Sequence, residues 1–126
     1  MKIIKILLTI IALITIVLFL IFTYWDRSQK INFANILPNS FEHCNRTIFK
    51  NDIEYIELKN WFEHNQKNWK NTPASYAPNN YYYSSNPYMS INIGEKYVVI
   101  NYEDSNKNPH QVIKEKKIGE LTHDCK

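Results

Sequence analysis

At 126 residues the chain has room for one domain. Its formal charge of +3 is spread thinly: Lys2 and Lys5 precede a hydrophobic run, and the remainder holds 13 basic against 12 acidic residues, so no nucleic-acid footprint follows. With only two glycines, Gly94 and Gly119, neither a phosphate-cradling loop nor a dinucleotide fingerprint can be built.

Residues 1–5 read as a short cytoplasmic leader and residues 6–25 as a transmembrane signal-anchor. The segment ILLTIIALITIVLFLIFTYW carries no charge, and 20 residues at about 1.5 Å of rise each cross a hydrocarbon core of about 30 Å. A domain this small cannot cover a helix that is apolar on every side. No small-residue cleavage pattern follows, whereas Tyr24 and Trp25 suit the headgroup level, which favours a retained anchor over a cleaved signal. The basic leader keeps the N-terminus inside. The expected location is therefore a bacterial inner (cytoplasmic) membrane, single-pass, with a periplasmic C-terminal domain and the lipid bilayer as first partner.

Residues 26–50 read as a tether and lead-in loop in which Ile31, Phe33, Ile36 and Leu37 touch the domain. The extracytoplasmic domain is assigned to residues 51–126. Its helix is expected over 51–70: Asn51 and Glu54 suit a capping box, and Tyr55, Leu58, Trp61, Phe62 and Trp69 fall on one stripe. Ile53 and Ile56 lie off that stripe. Turn chemistry dominates residues 71–87, which hold three prolines. From Tyr88 onward YMSINI, Gly94-Glu95-Lys96 and YVVINY predict a hairpin, and residues 110–118 supply a third strand. The fold class is thus α+β: one amphipathic helix packed on an antiparallel β-meander of about three strands.

Two cysteines in an exported chain, Cys44 and Cys125, are expected to form a disulfide that ties down the C-terminal end. The competing metal reading joins His43-Cys44 to His123-Asp124-Cys125, but adjacent residues such as His43 and Cys44 do not easily face one ion, so no metal is expected. A third reading makes Cys44 a nucleophile with His43, His64, His110 or His123 as base, and no local motif supports it. Neither His-Glu-x-x-His, Gly-x-Ser-x-Gly nor Ser-x-x-Lys occurs, and the carboxylates are scattered, so neither an enzyme nor a cofactor is expected.

The segment that stands out is Tyr76 to Tyr88. Tyr81, Tyr82, Tyr83 and Tyr88, interleaved with Ser and Asn, combine large amphipathic rings with adaptable hydrogen bonds, the mixture that antibody paratopes use. The competing reading packs two of the rings on the core as lids. The expected function is a membrane-anchored extracytoplasmic module that binds another protein, a toxin or an envelope component. An immunity-type, toxin-neutralising protein is one version of it. The alternative is a structural or accessory subunit of an envelope complex, assembled through its transmembrane helix.

Overall fold

The computed structural model describes residues 1–73, 80–121 and 125. It opens with helix α1, Lys2–Asp26, on which no residue is buried. This helix is long and apolar enough to cross a membrane. Its threonine hydroxyls bond back into the helix: those of Thr9 and Thr15 each donate to the carbonyl four residues back at 2.9 Å, and that of Thr23 to the Leu20 carbonyl at 3.0 Å.

Only Arg27 separates α1 from β1 (Ser28–Gln29), which pairs with β4 (Trp69–Asn71). Lys70 Nζ lies 2.6 Å from Asp26 Oδ1 at this junction, and that hydrogen bond holds the ammonium pKa above its usual value. A 3-10 turn at Phe33–Asn35 then buries Phe33 completely. β2 (Ser40–His43) and β3 (Arg46–Phe49) follow as a hairpin. Its two central residues, Cys44 and Asn45, have φ of 50° and 61°, the left-handed values that a two-residue turn matched to strand twist needs. Residues 26–50 are therefore not a tether and loop: they contribute three strands to the domain.

Helix α2 spans Ile53–His64 and is shorter than the 51–70 expected. Asp52 is its N-cap, and the Asp52 carboxylate accepts from the Phe49 N–H at 2.7 Å, while Glu54 pairs with Arg46 instead of reaching back to Asn51. The stripe of Tyr55, Leu58, Trp61 and Phe62 is buried as the periodicity requires, and Ile53 and Ile56 stay exposed. The helix ends where Asn-rich chemistry takes over. Asn65 Nδ2 donates to the Trp61 carbonyl, and Asn68 adopts φ 65°, which Asn tolerates better than most residues. Trp69 does join the core, but from strand β4.

The remaining strands are β5 (Asn80–Ser85), β6 (Tyr88–Ile93), β7 (Tyr97–Glu103) and β8 (Pro109–Glu115). The described residues form an eight-stranded, wholly antiparallel sheet in the order β1-β4-β8-β7-β6-β5-β2-β3. The expected meander of about three strands, β6 to β8, is its centre; five further strands extend it on both sides. Tyr82, Ile91, Ile100 and Val112 lie side by side across β5 to β8, each at most 1% exposed, and this inner face packs against α2, Phe33 and Trp69. Phe33 meets three rings, those of Phe62, Trp69 and Tyr102, within 5.6 Å between centroids. Leu58→Ala in this layer is expected to cost about 3 kcal/mol, and Lys59→Ala on the opposite side of α2 within about 0.5. Denaturant unfolding followed by Trp fluorescence reads the difference, and equal losses would contradict the burial pattern.

The β7–β8 turn is held by Asp104, whose carboxylate accepts the backbone N–H groups of Asn106 and Asn108 at 2.8 and 2.9 Å and lies 3.1 Å from His110 Nε2. The Asn108 N–H is the largest cause that lowers its pKa from 3.8 to about 2, followed by His110. A carboxyl depressed on folding stabilises the fold above its unfolded pKa and loses that contribution as pH falls through the folded value. The wild-type chain is therefore expected to be more stable than Asp104→Asn at about pH 6, with the advantage fading between about pH 4 and pH 2. A gap as large at about pH 2 as at about pH 6 would assign the difference to something other than this carboxylate.

Candidate binding face and disulfide corner

Because α2 covers one face of the sheet, alternation along β5 decides what each tyrosine does. Tyr82 points inward and is fully buried; Tyr81 and Tyr83 point outward, with Tyr81 40% exposed and Tyr83 half-buried. Opposite them stand Asn92 and Ser90 of β6, and Glu42 of β2 faces Tyr83. The Tyr81 and Tyr83 rings stack at 6.1 Å with planes 15° apart, and Tyr88 meets Tyr83 edge-on at 6.3 Å. The run YYYSS is thus a strand, not the loop expected, and its register separates the two competing readings: one ring is core, and the others form an aromatic row on the outer face. Tyr76 lies outside the described residues.

Around that row the face is polar and partly ordered. Asn101 Nδ2 donates to the Ser90 hydroxyl at 3.0 Å, and Asn92 Oδ1 is buried without a hydrogen-bond partner among the described residues. Burial raises the Tyr81 phenol pKa, so the phenol is a neutral group able both to donate and to accept. The face offers stacked apolar rings with hydrogen-bonding tips.

The Cys44–Cys125 disulfide is present, with Cα atoms 5.3 Å apart. Beside it His43 is 3% exposed, its ring stacked on Tyr82 at 4.0 Å with planes 8° apart. His43 Nδ1 donates to the Tyr81 carbonyl at 2.8 Å, because a carbonyl only accepts; in the neutral ring this leaves the Nε2 lone pair facing Cys44 Sγ at 3.0 Å. The expectation that adjacent residues turn away from a common point fails here, since the left-handed backbone at Cys44 folds its sulfur back toward the His43 ring. Glu42, His43, Cys44, Asn45, Tyr81 and Tyr83 line one shallow concavity of about 350 Å³, so the corner adjoins the aromatic row. His123 and Asp124 of the metal reading lie outside the described residues. Of the other candidate bases, His64 is exposed with Nδ1 at the Asn60 carbonyl, and His110 stacks on Tyr102; neither is tied to a sulfur in this geometry.

Sequence reasoning singled out the tyrosines and the cysteines and weighed His43 as a ligand or base without adopting it; it missed Glu42 and did not foresee the burial of His43. A signal for His43 was present: in a strand with Phe41 inward, residue 43 is inward too.

The chain matches no protein-family model, no curated protein and no solved structure.

Proposed function

We propose that this chain is a single-pass anchor protein of a bacterial inner membrane whose periplasmic domain binds another protein through the outer face of its sheet. The observation that carries the reading is the row of Tyr81, Tyr83 and Tyr88: three rings left uncovered by the helix that covers the opposite face, fixed by strand register and bordered by Ser, Asn and Glu. Rings already immobilised lose little rotamer freedom on binding, which is why Tyr dominates interface hot spots. The disulfide agrees with an oxidising compartment, and the uncharged run of residues 6–25 within α1 with membrane retention. Neutralising a toxin that arrives at the outer side of that membrane is one form of this activity.

Two measurements test it. A C-terminal reporter active only outside the cytoplasm is expected to be active, with the protein at full mass; a mature N-terminus near Asp26 would make α1 a cleaved signal. The partner captured by the intact chain from envelope extracts is expected to bind Tyr83→Ala roughly thirtyfold more weakly, about 2 kcal/mol, while Lys59→Ala binds as wild type. A partner that ignores all three tyrosines but is lost when residues 6–25 are replaced by an unrelated spanning sequence would favour the subunit assembled through α1.

A further inference from the structure

The closest grouping of metal-ligating side chains among the described residues is His43, Cys44 and Cys125, whose ligand atoms lie within 4.8 Å of one another. We propose that these three residues form a redox-gated site for a thiophilic closed-shell cation, zinc(II) or copper(I), masked while the cysteines are joined and opened by reduction.

Three observations carry it. The first is orientation: the Nδ1–H of His43 is committed to the Tyr81 carbonyl, which fixes the tautomer and turns the Nε2 lone pair to the sulfur. Histidines that ligate metals are commonly held by such a second hydrogen bond, often to a backbone carbonyl. The second is rigidity. The ring is buried and stacked on Tyr82, which is itself fully buried, so the imidazole stays in place whatever the sulfurs do. The third is access: Cys125 is exposed, Cys44 is half-buried, and the shallow concavity lined by Glu42 and Asn45 opens beside them, leaving room for a water ligand.

The chemistry balances with an external dithiol. Two electrons from the dithiol break the Cys44–Cys125 bond, each cysteine sulfur takes up one proton, and the dithiol leaves as its own disulfide. A zinc(II) ion then replaces the two thiol protons, which pass to solvent. Two thiolates and the His43 Nε2 make three protein ligands, with water completing the tetrahedron that zinc favours; copper(I) accepts the three alone. Thiolate and imidazole are the donors such cations select.

The test uses the full chain in detergent micelles, oxidised or reduced with a phosphine, which leaves as its oxide and does not compete as a thiol. Zinc(II) is titrated against a chromophoric chelator, with cobalt(II) as a visible probe of tetrahedral thiolate ligation. Reduced wild type is expected to bind one ion per chain, and the oxidised protein none at this position. His43→Ala is expected to weaken binding at least about tenfold, and His110→Ala to leave it unchanged. Histidine ¹⁵N spectra of reduced wild type read the same contact without a substitution: the His43 Nε2 resonance must shift when zinc is added. Affinity no greater than that of Cys44→Ser/Cys125→Ser, or an Nε2 resonance that does not move, overturns the site. Equal affinity in His43→Ala leaves a dithiol without its imidazole and overturns it as well.

Discussion

Replacing Cys44 or Cys125 by Ser is expected to destabilise the domain by about 4 to 5 kcal/mol, and replacing both by no more than either alone. The size follows from the 81-residue separation of the pair: opening a loop that long returns most of the entropy that the crosslink had removed from the unfolded chain. Position adds a reason. Cys44 sits in the β2–β3 turn, whereas Cys125 follows β8, so the bond ties the last part of the sheet's central meander to its far edge. Cys44 also holds a left-handed backbone at a non-glycine position, a conformation of order 1 kcal/mol unfavourable that the crosslink helps maintain. Chemical unfolding of the intact chain, oxidised and reduced, gives the wild-type difference, which both single variants should reproduce. Additive losses in the double variant would mean that each sulfur acts through local packing and not through the bond.

Tyr82→Ala is expected to cost about 3 to 5 kcal/mol, while Tyr83→Ala, one residue along the same strand, stays within about 1 kcal/mol of wild type. Tyr82 is fully buried beside Phe41 at 6.0 Å and under the His43 ring, so truncation leaves a void that neighbours on β2 and β6 cannot fill. Its hydroxyl has no hydrogen-bond partner among the described residues, and burial pushes its pKa up. Tyr82→Phe is therefore expected to keep stability to within about 1 kcal/mol, since it retains the ring and removes a buried polar atom. Tyr83 loses mainly its contacts with Tyr81 and Tyr88 on the outer face. Melting curves of the three variants decide this, and a Tyr83→Ala loss as large as that of Tyr82→Ala would turn the outer row into a second core.

The parts of this fold legible in the sequence are those whose apolar period runs long enough to be seen. α1 needed only its length. Tyr55, Leu58, Trp61 and Phe62 recur at helical spacing, and the Gly94-Glu95-Lys96 break between two β-rich runs marked the β6–β7 hairpin. The strands that escaped notice are of a different kind. β1, β2, β3 and β4 are two to four residues long, shorter than any window in which alternation can be counted, and the partners of β1 and β4 are distant in sequence. β5 hid for another reason: in Tyr81-Tyr82-Tyr83 the same amphipathic side chain faces both the core and water, so hydropathy does not alternate where burial does. Trp69 misled because it continues the helical stripe by number while Asn65 and Asn68 end the helix. The disulfide was legible from count and compartment alone. The approach of His43 to Cys44 was not, because it depends on a left-handed turn at a cysteine that no composition rule marks.

The single residue between α1 and β1 has a bearing on reach. A domain on a long flexible tether sweeps a large volume and meets partners at any height above the surface, whereas here the first strand is stitched to β4 directly after the helix ends. From β1 to β5 the sheet order counts five steps, and at about 4.8 Å per strand the tyrosine row stands about 24 Å along the sheet from the point of attachment. Under the proposed function the sheet works as a ruler, holding the tyrosine row at one radius from α1, and the partner proposed above would have to present its epitope within that shell.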